Sequence, residues 1–180
     1  MSMDPRNGHV KAWVGGPNFK YFQYDMVKKG RRQVGSTFKP FVYATAIQEG
    51  VITPCEQVPN IEYCVDVPYN DRRTKQWCPR NSGATMDGLP VSYKFALAAS
   101  MNNITANVIS KIKPQNVINN VEKAGVQKGI LEPYPSLALG VFDLSVYEMV
   151  GAISTFANRG VYIKPVIINR IEDKKGNIIY

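Results

Sequence analysis

Histidine is nearly absent: His9 is the only one in 180 residues. A structural zinc needs several Cys and His ligands held close together, so none is expected. Cysteine is scarce as well, limited to Cys55, Cys64 and Cys78. An odd count argues against a cystine-dense fold. Cys64 and Cys78 flank a polar, basic, loop-like stretch. They could form one disulfide in an oxidising compartment or remain partly buried free thiols. No run of about 18 apolar residues occurs, so no segment is expected to span a membrane. No signal peptide is visible, so an exporting segment of an exported parent would lie outside this sequence. Acidic residues are the minority charge, 14 against 22 Lys and Arg, for a formal net charge of +8. The basic residues are scattered, densest at Lys28-Lys29-Gly30-Arg31-Arg32 and Asp71-Arg72-Arg73-Thr74-Lys75. No zinc-finger spacing, RNA-binding aromatic signature or recognition-helix pattern accompanies them, so nucleic acid is not an expected partner. A solvated basic face, with unspecific attraction to anionic polymers, is the simpler reading.

What is present suits one compact domain. Hydrophobic residues make up 44% of the chain, and 14 glycines and 12 prolines are spread through it. Met1-Ser2-Met3 is taken as a start artefact outside the fold. Asp4-Pro5-Arg6-Asn7-Gly8 reads as a turn, and His9 to Val14 alternates as a strand. The turn is then left without a strand before it. A helix is expected from near Ser36, with Pro40 in its first turn, Phe38, Phe41, Val42 and Thr45 on its packing face, and Gly50 as its stop. Residues 51–85 are dense in turn formers, including Pro54, Pro59, Pro68, Pro79 and Asn70-Asp71, and suggest a long surface excursion. Further helices are expected over Tyr93 to Ser100, with Phe95, Ala96, Ala98 and Ala99 on packing positions, over Asn102 to Lys111, and over Pro114 to Ala124. Another runs over Ser145 to Ala157, where Ser145 and Glu148 have capping-box spacing. Val161 to Ile163 and Val166 to Ile171 read as strands. Asp173 to Asn177 reads as a hairpin turn, with a returning strand from Ile178 to Tyr180. A helical centre with strand fragments at both ends is an α/β arrangement.

The sharpest chemical feature is Gly35-Ser36-Thr37-Phe38-Lys39. Serine and lysine one turn apart at a helix start share a face. The amine can take the hydroxyl proton if burial lowers its pKa. The Ser36 amide, at a helix N-terminus, is a donor for a developing oxyanion. By spacing alone the pair is unspecific, since a capping serine and a solvent lysine would look the same.

Its surroundings carry more. Gly8-His9-Val10-Lys11-Ala12-Trp13-Val14-Gly15-Gly16 is followed by Phe19, Asp25 and Arg31-Arg32-Gln33-Val34-Gly35-Ser36-Thr37-Phe38-Lys39-Pro40-Phe41-Val42-Tyr43. This run resembles the active-site region of class A (bifunctional) penicillin-binding proteins, whose superfamily uses Ser-x-x-Lys, Ser-x-Asn-like and Lys-Thr-Gly elements. Ala96-Leu97-Ala98-Ala99-Ser100-Met101-Asn102-Asn103, with Asp87-Gly88 before it, resembles the second element. Trp77-Cys78-Pro79-Arg80-Asn81 and Leu137-Ala138-Leu139-Gly140 resemble further family segments. The register continues through Phe156-Ala157-Asn158-Arg159-Gly160 to Gly176-Asn177, so the resemblance covers residues 3–180. Val34 stands where the family often has proline.

The resemblance implies an α/β, β-lactamase/D,D-transpeptidase-like fold, mostly its helical part. Ser36 would be the nucleophile and Lys39 its base. Ser100 would relay protons, and Asn102 would bond the Lys39 region and the substrate amide. Trp77, Asn81, Leu139 and Gly140 would contact substrate. Partners would be peptidoglycan stem peptides, the lipid-linked precursor, β-lactams and the remainder of the same polypeptide. The parent would be anchored in the cytoplasmic membrane with this domain outside, and would also carry a glycosyltransferase. No metal or organic cofactor is implied. The third element, Lys-Thr-Gly, does not occur in the sequence. Residues 4–180 are therefore expected to be a partial transpeptidase domain with little or no activity by itself. Two other readings stay open: a non-catalytic β-lactam-binding or scaffold module, and a β-lactamase-like hydrolase. The second needs a deacylating carboxylate, for which Glu132, in a loop-like stretch, is an unspecific candidate.

Overall fold

In this computed structural model residues 1–69, 73–83 and 86–179 are described, apart from the side chains of Tyr69 and Arg73. The expected turn at Asn70-Asp71 and the Asp71-Arg72 part of the basic group lie outside them. The chain order is β1 (Ser2–Met3), β2 (Val10–Ala12), β3 (Arg31–Gln33), a 3-10 turn (Gly35–Phe38), α1 (Lys39–Gln48), β4 (Gln57–Pro59), β5 (Val65–Tyr69) and β6 (Arg73–Trp77). It continues with β7 (Pro90–Ser92), α2 (Tyr93–Ala98), α3 (Asn102–Lys111), α4 (Pro114–Lys123), a second 3-10 turn (Pro135–Leu139), β8 (Asp143–Ser145) and α5 (Val146–Ala157). The fold class is mixed α/β, as expected. Two compact units divide the chain. One comprises Met1–Arg31, Lys123–Gln127 and Leu144–Tyr180, the other Arg32–Glu122 and Lys128–Asp143.

In the first unit the Asp4–Gly8 turn forms as its residues dictate. Gly8 takes a φ of +76° and its amide donates to Asp4 O at 2.9 Å. The turn pairs Ser2 with Ala12 and Met3 with Val10. The opening residues are therefore part of the fold, correcting the expectation that they carry none of it: a tight turn returns the chain onto them. The Ser145–Glu148 capping box is present at α5, with both side-chain-to-backbone bonds made. Arg31 adds an ion pair to Glu148 at 3.4 Å. The expected strands after α5 do not form among the described residues. Val166 makes one bridge to His9, and Glu172 one to Ile178, across the expected turn at Gly176. β-branched alternation alone does not make a strand; a ladder needs a partner for each successive amide. Tyr180 lies outside the described residues.

The second unit is built on helix packing. Phe38, Val42, Ala46, Ile104, Val108, Val117 and Val121 are all essentially inaccessible to solvent. Burying such a side chain contributes about 1.5–3 kcal/mol. Phe38, Phe41, Val42 and Thr45 are buried, as their spacing predicts. Pro40 sits in the first turn of α1, where its missing amide leaves no bond unmade. Asn120 of α4 donates to Thr45 Oγ1 and Gln48 Oε1 of α1, at 3.0 and 3.1 Å. α2 departs from expectation: Ala96 is buried, but Phe95, Ala98 and Ala99 are exposed. Tyr93 is the larger anchor, with 1% exposure. Residues 51–85 are not simply a loop. Val65–Tyr69 and Arg73–Trp77 pair antiparallel, and a Cys64–Cys78 disulfide closes the base of that hairpin. Pro68 and neighbouring turn formers hide the Val65/Val67 alternation from a local reading. Cys55 is a free, exposed thiol. β4 pairs with β7 through Val58 and Val91, both buried.

Candidate active site

Every residue of the site lies in the second unit. The chain enters it through Gly35, whose φ is +55°. The Gly35 amide donates to Gly140 O at 3.0 Å, and the Val34 amide to Phe142 O at 3.1 Å. A Cβ on Gly140 would stand 2.2 Å from Gly35 O, so only glycine permits this approach. Thr37 Oγ1 donates to Val34 O at 2.6 Å. Beneath the turn Phe38 packs edge-on to Phe142 and against Phe41, with ring centroids 4.7 and 5.5 Å away. The packing holds Ser36 at an exposed position early in the 3-10 turn, where backbone amides precede the first intrahelical bond.

Lys39, the first residue of α1, points inward and is 1% exposed. Its Nζ donates to Ser100 O at 2.6 Å, Ser100 Oγ at 3.0 Å and Asn102 Oδ1 at 2.7 Å. These contacts take all three ammonium protons. Burial lowers its pKa from 10.5 to about 8. Among the described residues no hydrogen bond joins Nζ to Ser36 Oγ. The expected serine–lysine pair is thus one turn apart, but the lysine is held by the second motif.

That motif is shaped by a helix end. The amides of Ser100 and Met101 donate back to Leu97 O and Ala96 O, at 3.0 and 2.9 Å, closing α2. Ser100 occupies the left-handed position, with φ of +54°. A non-glycine residue there is strained by about 1–2 kcal/mol. The strained turn aims both the carbonyl and the hydroxyl of Ser100 at Lys39.

Asn102 opens α3. Its Nδ2 donates to Arg80 O at 2.9 Å, which leaves Oδ1 facing Lys39. Asn81 Oδ1 accepts from the Asn102 and Asn103 amides, at 2.7 and 3.3 Å, and so caps α3 from outside the helix. Asn103 and Asn60, both buried, complete the cluster: Asn103 Nδ2 donates to Asn60 Oδ1 at 2.6 Å. Sequence reasoning missed Asn60 and the Arg80 carbonyl and gave Asn103 no role, since no short-range pattern marks a cap supplied by a remote loop. Of the expected site residues, hydrogen bonds join Lys39, Ser100, Asn102 and Asn81. Gly140 supports the turn before Ser36. Trp77 is half-buried opposite Val65 at the base of the hairpin, and Leu139 is half-buried in the second 3-10 turn. Neither is hydrogen-bonded into the Lys39 network among the described residues. Glu132 is exposed and lines a small cleft with Tyr134, Ser136 and Leu137. Glu62, Cys64 and Cys78 bring three potential ligand atoms within 4.8 Å, but both sulfurs are shared in the disulfide.

The family model for the penicillin-binding protein transpeptidase domain matches residues 1–178. The chain belongs to this family. Penicillin-binding protein 1A of Pseudomonas aeruginosa is 34% identical over the full 180 residues. Those residues span 21% of that relative's length. The crystal structure of penicillin-binding protein 1A from Haemophilus influenzae superposes with a TM-score of 0.86 at 28% identity, over 99% of this chain and 26% of that one. The PonA1 protein of Mycobacterium tuberculosis, solved in complex with penicillin V, gives a TM-score of 0.78 at 25% identity, over 99% of this chain and 48% of that one. In this transpeptidase-family chain, then, two sequence motifs about 60 residues apart meet at one buried ammonium. No helix among the described residues is long and apolar enough to cross a membrane.

Proposed function

We propose that the chain carries the nucleophile side of a serine D,D-transpeptidase that cross-links peptidoglycan stem peptides. The observation that carries this reading is the buried Lys39 ammonium, held by Ser100 and Asn102 one turn from the exposed Ser36. A lysine at a pKa of about 8 is near enough to neutrality to act as a base. Once deprotonated it keeps two N–H donors, so one of its three contacts is released and a lone pair is freed.

Acylation would then run as follows. Ser36 Oγ forms a bond to the penultimate D-Ala carbonyl, and its proton passes to the Lys39 amine. The C–N bond to terminal D-Ala breaks, and the proton returns to that leaving amine through Ser100 Oγ. An amine of a neighbouring stem peptide attacks the resulting ester; a C–N bond forms, the C–Oγ bond breaks, and the amine's proton passes by way of Lys39 to Ser36 Oγ, making the cross-link and freeing Ser36. A β-lactam would acylate Ser36 by opening its own ring, and with no leaving group departing it would stay attached. Asn102 Nδ2, now on Arg80 O, and Asn81 would lie beside the bound peptide. Stem peptides presented on lipid-linked strands place the site on the outer face of the cytoplasmic membrane.

The test is intact mass after incubation with a penicillin, beside a Ser36→Ala control. The expected result is one stable adduct equal to the whole penicillin mass, absent in the control. An adduct that survives Ser36→Ala, or none in folded protein, would overturn the assignment. Rapid loss of the adduct would instead favour a hydrolase.

A further inference from the structure

We propose that Asn60 is a positioning residue that orients the Asn81 amide and, through it, the α3 N-terminus that presents Asn102 to Lys39. The inference rests on the transpeptidase reading above and adds a residue remote from the nucleophile. Asn60 is 1% exposed and follows β4. Its backbone is pinned on both sides: its amide donates to Leu89 O at 2.9 Å, and its carbonyl accepts from the Gly88 amide at 2.8 Å. Its Oδ1 accepts from Asn103 Nδ2 at 2.6 Å and from Asn81 Nδ2 at 3.4 Å.

The second contact is long, yet it decides an orientation. A side-chain amide has an accepting end and a donating end. Asn81 must point oxygen at two backbone amides, those of Asn102 and Asn103. Turned over, it would set an NH₂ group against two N–H donors and leave the first turn of α3 uncapped. Asn60 Oδ1 engages the donating end and disfavours that flip. The Arg80 carbonyl does the same for Asn102, holding its Nδ2 so that Oδ1 faces Lys39. Asn60, Asn81 and Asn103 also line an open cleft of about 710 Å³. Water from this cleft can replace the bond that Asn60 makes. What Asn60 adds is therefore direction, which water does not supply.

The experiment compares the unchanged protein with Asn60→Leu, which keeps much of the shape and loses the acceptor. It adds Asn81→Asp and the double variant. Two quantities are read from pH 6 to 10: penicillin acylation of Ser36 by intact mass, and the Lys39 side-chain titration by NMR. Asn60→Leu is expected to acylate about tenfold more slowly at neutral pH. Its acid limb and its Lys39 midpoint should move upward as water reaches Nζ. A carboxylate presents oxygen whichever way it turns, so Asn81→Asp should remove most of the Asn60→Leu defect in the double variant. An unchanged rate and midpoint in Asn60→Leu, or a defect that Asn81→Asp leaves in place, overturns the proposal. Thermal melts confirm folding, and Asn60→Ser replaces Asn60→Leu if the latter does not fold. If the unchanged protein takes no penicillin at all, the transpeptidase reading falls, while the Lys39 titration still decides the role of Asn60.

Discussion

Two helices of the same unit end in the same way with different residues. α1 closes with Gly50 at φ +70°, its amide on Ile47 O and the Val51 amide on Ala46 O. α2 closes with the same pair of bonds, but with Ser100 in the left-handed position. Glycine accepts that conformation without a steric penalty, whereas serine pays one. At Gly50 a Cβ would meet nothing within 4 Å, and the turn does only a terminating job. At Ser100 the same turn carries a hydroxyl to within 3.0 Å of a buried ammonium. At Ser100, strain and a hydrogen-bonding side chain coincide at the candidate site.

The comparison can be tested from its largest consequence downward. Lys39→Met removes what the Ser100 turn holds, and penicillin acylation should fall by about 10²–10⁴-fold in a stopped-flow or intact-mass assay. A smaller loss would mean that the turn serves another group. Next, acylation should depend on pH through the same amine. Protonated Lys39 cannot accept the serine proton, so with a pKa of about 8 the rate should drop about 50-fold between pH 8 and pH 6. A flat profile across that range would remove Lys39 as the base.

Ser100→Ala keeps the strained backbone and the carbonyl contact but loses the hydroxyl, so acylation should slow by about tenfold with little change in a urea melt. The smallest effects carry the comparison itself. Ser100→Gly should stabilise the fold by up to about 1 kcal/mol while acylation falls as it does in Ser100→Ala. Gly50→Ala should destabilise by about 1 kcal/mol and leave acylation unchanged. Equal signs in those two urea melts would show that the two helix ends do not differ as described.

Glu148 gives a separate contrast in legibility. Burial pushes its carboxyl up, but bonds from Ser145 and the charge of Arg31 outweigh burial and leave its pKa lowered. A carboxyl lowered on folding contributes stability above its unfolded pKa, and this is lost as pH falls through the folded value. The Ser145–Glu148 cap was readable because donor and acceptor sit within one turn. The α3 cap was not, because Asn81 reaches it from a loop 21 residues earlier. The hairpin over residues 65–77 escaped for a related reason. Its pairing is a matter of register between strands, and Pro68 gives the opposite local signal. Val161 to Ile171 erred the other way, with strand-like residues but only isolated bridges among the described ones.

By itself the sequence determined the helices, the Ser145–Glu148 cap, the stop at Gly50, the turns at Asn7-Gly8 and Gly176, and Ser36, Lys39, Ser100 and Asn102 as candidates. These depend on side-chain volume, backbone freedom and periodicity, which act over a few residues. Only the tertiary structure decided that Lys39 is buried, that its three protons go to Ser100 and Asn102, and that Asn60 and Asn81 stand behind them. Desolvation and hydrogen-bond direction depend on what the fold brings near an atom, and neither is written in the spacing of residues along the chain.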